Sequence, residues 1–265
     1  MLKITNVTKT FNPGTITEKK ALLGIDLTLE DGDFVTVIGG NGAGKSTLLN
    51  LIAGVHSCDT GKIELNGIDM TNMPEYRRAK YLGRVFQDPM LGTAANMEIE
   101  ENLAMAFRRG KTRSLAWGIK NSERNLYYEK LKLLELGLEN RMHSKVGLLS
   151  GGQRQALTLL MSTLQKPDLL LLDEHTAALD PKTASRVLEL TKKFIEEDHL
   201  TAFMVTHNMM HAIEYGNRLI MMMNGKIVYD VRGEEKKSLR VDDLLAKFGA
   251  AGEMNDRMML ESKAL

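Results

Sequence analysis

Apolar and polar residues alternate along the first thirty or so positions of the chain. This period of two indicates half-buried antiparallel strands. Its apolar members are Leu2, Ile4, Val7, Leu22, Leu23, Ile25, Leu27 and Leu29. Asn12-Pro13-Gly14 interrupts the alternation and predicts a loop. The sequence therefore predicts that the chain opens with a long antiparallel hairpin.

A short run with a different pattern follows the hairpin. Phe34–Ile38 is apolar and β-branched, as expected for a central strand that is buried on both faces. It leads directly into a glycine-rich segment, Gly39–Ser46. Thr47–Ala53 then places Leu48 and Ile52 on one face of a predicted helix. The order is thus strand, glycine loop, helix.

The middle of the chain is charged and poor in β-branched residues. Within residues 89–149, Glu98–Ala106 and Asn121–Leu136 are patterned as helices. We therefore predict a helical subdomain that is inserted into an α/β core. Beyond it, elements alternate as helix 151–165, strand 168–173, helix 182–197, strand 201–206 and helix 208–214. Such alternation predicts a parallel sheet.

The end of the chain carries a hairpin signal and a helical pattern. Asn224-Gly225 joins Leu219–Met223 to Lys226–Tyr229 and predicts a type I′ turn. Apolar residues at helical spacing after residue 233 predict a terminal helix; they are Val241, Leu244, Leu245 and Phe248. The predicted domains are a core in two parts (1–88, with the antiparallel β subdomain, and 150–232), the helical subdomain (89–149) and a helical tail (233–265).

Composition narrows the class of protein without identifying it. The 265 residues are 43% hydrophobic and 26% charged, which is ordinary for a globular protein. Thirty-five basic and 34 acidic residues give a net charge of +1, so a strongly basic nucleic-acid-binding domain is not expected. The single cysteine, Cys58, cannot form an internal disulfide and fits a reducing compartment. We expect no signal peptide, and no apolar stretch approaches the roughly 18–20 residues of a membrane span.

The glycine loop matches the phosphate-binding pattern G-x-x-x-x-G-K-[ST], known as Walker A, in the required strand–loop–helix context. Its glycines let backbone N–H groups converge on phosphate oxygens at a helix N-terminus. Lys45 is expected to reach the β- and γ-phosphates, and the Ser46 hydroxyl to ligate Mg²⁺. The simpler alternative is a tight glycine turn. The predicted nucleotide-binding residues here are Gly39, Gly40, Asn41, Gly42, Ala43, Gly44, Lys45, Ser46 and Thr47.

The segment Leu169–Glu174 is a predicted buried strand that ends in two carboxylates. Strand ends are where ligands bind in parallel sheets. Asp173 is expected to hold the Mg²⁺ shell, directly or through water, and Glu174 to orient or deprotonate an attacking water. The alternative makes both acids helix-capping or solvated strand-end residues.

A second glycine motif runs through Leu149, Ser150, Gly151, Gly152 and Gln153. Ser150 and Gln153 have the spacing of a capping box for the helix that follows. A helix N-terminus with an exposed serine and two glycines is also an anion site. We expect both interpretations to hold.

The two glycine motifs together resemble the ATP-hydrolysing subunit of ATP-binding cassette (ABC) transporters, over about residues 2–230. The resemblance implies an ABC-type P-loop NTPase fold and two ATP molecules sandwiched in a head-to-tail dimer. Residues 149–153 would then be the signature that caps the ATP of a second copy of the chain, or of a paralogous cassette. It also implies an integral membrane permease as partner, and a location on the cytoplasmic face of the membrane.

Further residues match functional positions of the family. By resemblance, Gln87 is the glutamine that senses Mg²⁺ and water, and His207 is the switch histidine at the γ-phosphate. Phe11 is the aromatic residue that stacks on adenine. The interface loop is Ala178, Leu179 and Asp180. The implied catalytic residues are Glu174, His207 and Gln87, and the implied Mg²⁺ ligands are Ser46, Gln87 and Asp173.

The chain departs from the family pattern at three positions. His175 stands where proline is usual, Ala177 where serine is common, and Phe11 where tyrosine is frequent. None of these changes removes a catalytic group. We expect His175 to be an exposed histidine whose effect is limited to the rigidity or pH response of the interface loop.

The resemblance leaves three functional classes open. The opening hairpin and Gly92–Leu103 resemble cassettes of bacterial importers. Those importers work with an extracytoplasmic substrate-binding lipoprotein, and similar systems are assigned to amino acids, including tryptophan and tyrosine. A soluble ABC machine would need a coiled-coil insertion or a second cassette, and the chain has neither. The remaining alternative is an ABC-type ATPase in a non-transport complex.

Other signals receive simpler interpretations. His207 and His211 have the spacing of a helical zinc pair, but no third ligand is evident. Arg108–Arg113, with Trp117 nearby, is expected to be a solvated loop rather than a contact with lipid or a membrane partner. Glu234–Lys237 is expected to be a solvated turn or the start of a helix.

Overall fold

The computed structural model describes residues 1–111 and 118–250, without the side chain of Ala250. Its strands, numbered in chain order, are β1 (Leu2–Phe11), β2 (Lys19–Leu29), β3 (Phe34–Ile38), β4 (Thr60–Leu65), β5 (Ile68–Asp69), β6 (Leu82–Val85), β7 (Leu169–Asp173), β8 (Ala202–Val205), β9 (Arg218–Met223) and β10 (Lys226–Arg232). Its α-helices are α1 (Lys45–Ala53), α2 (Glu75–Arg78), α3 (Ile99–Phe107), α4 (Asn121–Lys132), α5 (Gly151–Thr163), α6 (Pro181–Glu197), α7 (Met209–Glu214), α8 (Gly233–Ser238) and α9 (Val241–Ala250). Short 3₁₀ helices cover Leu138–Arg141 and Val146–Leu148.

The chain forms two compact units. The first contains Met1–Arg78 and Thr201–Leu265, of which 251–265 lie outside the described residues, as does that part of the predicted helical tail. The second contains Ala79–Leu200. The second unit is larger than the predicted helical subdomain, because it includes α5, α6 and the strands β6 and β7. The division into a nucleotide-binding core and a helical subdomain stays a prediction.

The first unit confirms the opening hairpin. β1 pairs with β2 antiparallel, with Leu2 opposite Leu29 and Phe11 opposite Lys19. The apolar side chains that alternate along β1 are buried, as the period-two pattern predicts. β1 also pairs with β4, and the four strands follow the order β2-β1-β4-β5.

A second set of strands in the first unit carries the glycine loop. β3 lies between β8 and β9 and is parallel to both, while β10 returns antiparallel to β9. All five residues of β3 are buried, which confirms the prediction of a central strand. Asn224 and Gly225 both have positive φ, 48° and 73°, and Met223 pairs with Lys226. The predicted type I′ turn is therefore confirmed.

The predicted terminal helix is confirmed as α9 and packs on its own core. Leu244 and Phe248 are buried in a cluster with Met209 and Ala212 of α7 and Ile38 of β3. Glu234–Lys237 lies in α8, which confirms the start of a helix, but the expectation that this segment is solvated is wrong for one residue. Lys236 of α8 is only 2% exposed, although Glu234, Glu235 and Lys237 are exposed.

The second unit contains the parallel strands β6 and β7 and the helices α3, α4, α5 and α6.

The basic segment that follows α3 was expected to be a solvated loop, but its first two arginines form contacts within the unit. Arg108 forms an ion pair of 2.9 Å with Glu123, and Arg109 donates to the carbonyls of Ser162 and Gln165. These two arginines tie the end of α3 to α4 and to the end of α5, while residues 112–117, including Trp117, lie outside the described residues. Among the described residues, no helix is both long and apolar enough to cross a membrane.

Candidate nucleotide-binding site

The glycine loop connects the buried strand β3 to helix α1. Gly44 precedes the helix with φ 102°, and a Cβ there would lie 2.7 Å from the carbonyl oxygen of Ala21. This position therefore requires glycine. Lys45 is 5% exposed, and its Nζ donates to the carbonyls of Gly39 (2.7 Å) and Gly40 (3.1 Å). The loop thus holds an ammonium group beside backbone N–H groups at a helix N-terminus, which suits an anionic ligand.

A buried arginine fixes the other end of α1. Arg78 is 2% exposed, and its NH1 donates to the carbonyls of Leu51 (2.7 Å) and Ile52 (2.8 Å) in the last turn of α1. Its Nε donates to Met73 O (2.7 Å) and its NH2 to Thr71 O (3.2 Å). Burial lowers the pKa of Arg78. The sequence did not reveal this role, because an arginine in a short polar helix has no distinguishing pattern.

His207 is placed at the same sheet edge as the glycine loop. β8 is parallel to β3, with Val37 opposite Val205, so both strands end at this edge. Asn208 follows His207 and caps α7, since its Oδ1 accepts from the N–H of His211 (3.1 Å). The Asn208 N–H in turn donates to Thr206 Oγ1 (3.1 Å). His207 is therefore held between a strand end and a capped helix.

Phe11, the predicted adenine-stacking residue, ends β1 and is half-buried. Its ring lies edge-to-face against His56, with centroids 5.3 Å apart and planes at 79°. Lys9 Nζ lies 5.6 Å from the Phe11 ring centroid and forms an ion pair of 3.1 Å with Asp59. One aromatic partner and one cation therefore orient the Phe11 ring.

The second unit brings three predicted residues to one sheet edge. β6 and β7 are parallel, with Val85 opposite Leu172, so Gln87 follows one strand and Asp173 and Glu174 end the other. Arg84 NH2 lies 3.5 Å from Asp173 Oδ2. Strand β6 was not predicted, because its four residues are too short to show a pattern. Its parallel pairing with β7 is what brings Gln87 to the same sheet edge as the two carboxylates.

Glu174 has an unusual backbone conformation. Its φ is 46°, in the left-handed region that residues with a side chain rarely adopt. Its carbonyl accepts from the N–H of Ala177 (2.9 Å) in the turn that follows β7. Strain of this kind persists where the surrounding structure imposes it, and it is frequent at functional sites.

The capping box of the signature is confirmed. Ser150 Oγ accepts from the N–H of Gln153 (3.3 Å), and Gln153 Oε1 accepts from the N–H of Ser150 (3.2 Å). Helix α5 therefore begins at Gly151 with two of its backbone donors satisfied. Ser150 and Gly151 are exposed, so this N-terminus is accessible to an anion from outside the chain.

The interface loop lies against the signature. A Cβ at Gly152 would overlap with Cγ2 of Thr183 in α6, and a Cβ at Gly151 would lie 3.7 Å from Leu179 Cδ2. Asp180 caps α6, since its Oδ1 accepts from the N–H of Thr183 (3.1 Å). Hydrogen bonds from Thr183 hold the pKa of Asp180 below its usual value. The start of α5 and the start of α6 are therefore in direct contact.

His175 is buried, so the expectation of an exposed histidine is wrong. It is 2% exposed, and its Nε2 lies 3.0 Å from Thr191 Oγ1. The backbone after Glu174 turns the His175 side chain towards α6 rather than towards solvent. At the position where the family usually has proline, this chain thus has a histidine whose side chain is hydrogen-bonded to α6 of the same unit.

One cluster with the composition of a metal site lies elsewhere in the second unit. Glu98, Glu100 and His143 bring their potential ligand atoms within 4.8 Å of one another. Arg124, however, forms two hydrogen bonds with Glu100, of 2.9 and 3.1 Å, and so neutralises its carboxylate. His143 Nδ1 lies 3.1 Å from Glu98. We interpret the cluster as an ion-pair network.

The predicted site residues thus fall into two groups. The first unit holds Phe11, the glycine loop with Lys45, Ser46 and Thr47, and His207. The second unit holds Gln87, Asp173, Glu174, the signature Leu149–Gln153 and the interface loop Ala178–Asp180. Their roles in binding and catalysis stay predictions.

Comparison with known proteins shows the family. The ABC transporter family model matches residues 22–177. A tyrosine transport ATP-binding protein of Clostridioides difficile (strain R20291) is 48% identical over 253 residues, 94% of this chain and 98% of that protein. The phosphonates import ATP-binding protein PhnC of Alcaligenes faecalis is 34% identical over 234 residues, 87% and 82% of the two chains.

Solved structures agree with this assignment. The dimeric structure of a post-hydrolysis state of the ATP-binding cassette MJ0796, bound to ADP and Pi, has a TM-score of 0.74 and 32% sequence identity. The alignment covers 88% of this chain and 98% of that one. The chain belongs to the ABC transporter family and is an ATP-binding cassette subunit that hydrolyses ATP.

Proposed function

We propose that this chain powers a membrane importer of an amino acid, with tyrosine as the first candidate. The observation that carries the proposal is the 48% identity, over nearly the whole of both chains, to a protein named for tyrosine transport. The cassette itself does not select the solute. Relatives that are named for phosphonates share 31–34% identity with it.

The glycine loop and α1 bind the phosphates of ATP. Lys45 supplies the positive charge, the loop from Gly39 to Thr47 supplies backbone N–H groups, and Phe11 stacks on the adenine. The hydrogen bonds from Lys45 Nζ to the carbonyls of Gly39 and Gly40 support this role, since they hold the ammonium within the loop at the N-terminus of α1.

A Mg²⁺ ion fits the oxygen ligands that the chain offers. Ser46, Gln87 and Asp173 contribute a hydroxyl, an amide and a carboxylate, which are the ligand types that Mg²⁺ accepts. When bound, Mg²⁺ neutralises negative charge on the phosphates. Glu174 holds the attacking water and takes its proton, and His207 contacts the γ-phosphate. The positive φ of Glu174 supports this assignment.

The signature acts on the ATP of a second cassette, in a head-to-tail dimer of two copies or of this chain with a paralogous cassette. Ser150 Oγ accepts a hydrogen bond from Gln153, so its own proton can be donated to a phosphate oxygen. The dimeric relative bound to ADP and Pi supports this arrangement. ATP favours the closed dimer, because it contacts both chains, and ADP favours opening.

The importer contains further polypeptides. An integral membrane permease forms the pore and binds the cassette at the cytoplasmic face, and an extracytoplasmic substrate-binding protein delivers the solute to the permease. No role in nucleic-acid binding is expected, given the net charge of +1. An ABC-type ATPase of a non-transport complex is the alternative function.

The deciding experiment isolates tagged Glu174→Gln protein from its native membranes with ATP and identifies what co-purifies. The substitution should lower ATP hydrolysis by roughly 10²–10⁴-fold while ATP-bound dimers persist. Glu189→Gln, at an exposed position of α6, is the matched control and should hydrolyse ATP normally. Recovery of a multi-span permease, together with tyrosine-dependent stimulation of the unmodified ATPase after reconstitution, would support the proposal.

Two results of this experiment would overturn parts of the proposed function. Recovery of soluble partners alone, in several detergents, would replace transport with the non-transport function. A permease whose ATPase is stimulated by a different amino acid, and not by tyrosine, would retain transport and remove tyrosine.

A further inference from the structure

We propose that Gln155 is a positioning residue that couples the two ATP sites of the dimer, by tying the segment that carries Gln87 to the signature helix. This inference rests on the proposed function, in which Gln87 acts on the ATP of its own chain and the signature acts on the ATP of the partner. Gln155 lies in the first turns of α5, two residues after Gln153.

The contact is direct. Gln155 Nε2 donates to the carbonyl oxygen of Phe86 at 3.1 Å. Phe86 is the residue immediately before Gln87, so the hydrogen bond fixes the peptide from which Gln87 projects. Gln155 is fully buried. A buried hydrogen bond cannot be replaced by solvent without opening the unit, so a shift at either end is transmitted to the other.

Stability alone does not favour glutamine at this position. Gln155 Oε1 is buried and accepts no hydrogen bond from the part of the chain that the structure describes. A buried unsatisfied oxygen is destabilising, and an apolar side chain of the same length would avoid it. The Nε2 donor to Phe86 is therefore the reason for an amide here.

Arg154, which precedes Gln155 in α5, contacts the segments that lie next to Gln87 and to the signature. Arg154 donates to the carbonyls of Val146 and Leu149, just before the signature, and to Sδ of Met90, three residues after Gln87. The first turns of α5 thus contact the chain on both sides of Gln87 and on the approach to the signature. The segment Phe86–Met90 and the segment Val146–Leu149 are therefore held by the same helix turn. We refer to these two segments and the first turns of α5 together as the α5 block.

The consequence is coupling between two ATP molecules. In a head-to-tail dimer, the Gln87 end of the α5 block reports the state of one ATP and the signature end binds the other. A ligand that shifts one end changes the affinity at the other, and the change is reciprocal. Binding and hydrolysis should then be cooperative in ATP, with a Hill coefficient approaching the limit of about 2 that two sites allow.

The test measures the ATP dependence of hydrolysis by the full chain and three variants. Gln155→Met removes the donor while it keeps the length of the side chain. Gln155→Leu also removes the donor and leaves an apolar side chain of comparable size, and it serves where the methionine variant folds poorly. Thr158→Val is the matched control, because Thr158 is also buried on α5 but bonds to the carbonyl of Gln155 within its own helix (2.8 Å).

We expect both Gln155 variants to lower the Hill coefficient below that of the unmodified protein, while Thr158→Val keeps the unmodified value. The cooperativity that remains comes from closure of the dimer, which requires both ATP molecules. Binding of ADP by the isolated chain should change by less than about twofold, since the glycine loop is untouched; a merely structural role would weaken it together with the Hill coefficient. Gln155 variants that retain the unmodified Hill coefficient would overturn the coupling role. An unmodified protein with a Hill coefficient of 1 would overturn it too, while leaving ATP hydrolysis and the proposed transport function intact.

Discussion

His175 Nε2 and Thr191 Oγ1 lie 3.0 Å apart inside the second unit. The Thr191 hydroxyl donates its only proton to the carbonyl of Val187 (2.8 Å). It therefore accepts from His175, and Nε2 of the imidazole carries a proton. This bond links the residue after Glu174 to the middle of α6, so His175 restrains the turn in which Glu174 has positive φ.

Replacing Thr191 by valine should destabilise the protein while it preserves the shape of the side chain. The variant leaves the buried Nε2–H of His175 without its acceptor, which costs about 1–3 kcal/mol. The free energy of unfolding in urea measures the loss. Ser185→Ala is the control, because it removes a similar bond (to Pro181 O, 3.0 Å) at an exposed position of the same helix and should cost less than about 0.5 kcal/mol. Equal losses for the two variants would contradict the role of the buried bond.

Gly152→Ala should separate the signature helix from α6. The added Cβ would overlap with Thr183 Cγ2, and such overpacking costs about 1–3 kcal/mol. Thr183→Ser removes Cγ2, so the double variant should recover at least half of the lost unfolding free energy. Gly151→Ala is the stability control, since its Cβ would meet Leu179 Cδ2 at an ordinary 3.7 Å. If Thr183→Ser restores nothing, the loss arises elsewhere than at this contact.

Arg78→Lys should weaken both stability and nucleotide binding. A lysine ammonium cannot reproduce the planar fork that bonds four carbonyls, including those of Leu51 and Ile52. We expect a loss of about 2–4 kcal/mol in unfolding free energy and weaker ATP binding, because Arg78 fixes the helix that begins at Lys45. Arg77→Lys, at the neighbouring exposed position, should leave both quantities unchanged. Identical ATP affinities for the two variants would show that the far end of α1 does not influence the phosphate loop.

Local signals account for what the sequence predicted well. Alternation over eight apolar positions indicated β1 and β2, Asn224-Gly225 indicated its turn, and Ser150 with Gln153 indicated the start of α5. Each signal lies within a few residues of the element it specifies. Strand β4 was not predicted, because it has only two apolar residues, Ile63 and Leu65, and these are too few to show an alternating pattern.

The unpredicted features depend on contacts between distant parts of the chain. Arg78 bonds to α1 some 26 residues earlier, Gln155 bonds to Phe86 at a separation of 69 residues, and His175 turns inward because Thr191 accepts its proton. A single sequence shows these residues as ordinary polar side chains. Their burial follows from tertiary packing, which no local pattern encodes.

Lys236 is buried and places its ammonium group at the C-terminus of α7. Its Nζ donates to the carbonyls of Ile213 (2.9 Å), Tyr215 and Gly216 (2.9 Å). These carbonyls lie at the C-terminus of α7, the helix that follows His207, where a positive charge is favourable. Burial lowers the pKa of Lys236 from 10.5 to about 8.

This lowered pKa predicts how stability depends on pH. Below about pH 8 the folded and unfolded chains both hold the proton, so the burial penalty is present in full. Between about pH 8 and 10.5 the unfolded chain binds more protons at Lys236, so the contribution of this residue to stability rises with pH. The unfolding free energy of the unmodified protein minus that of Lys236→Met should therefore increase across this window, by about 3 kcal/mol at most.

Urea unfolding of both proteins at pH 7.5 and pH 10 measures this difference, and other groups that titrate in the window cancel between them. Lys237→Met is the matched control, because Lys237 is exposed and pairs with Glu234 on the surface of the same helix. Its difference from the unmodified protein should stay nearly constant with pH. A constant difference for Lys236→Met as well would mean that the ammonium of Lys236 is as well stabilised by its three carbonyls as it is by water, and that its pKa is not lowered in the folded protein.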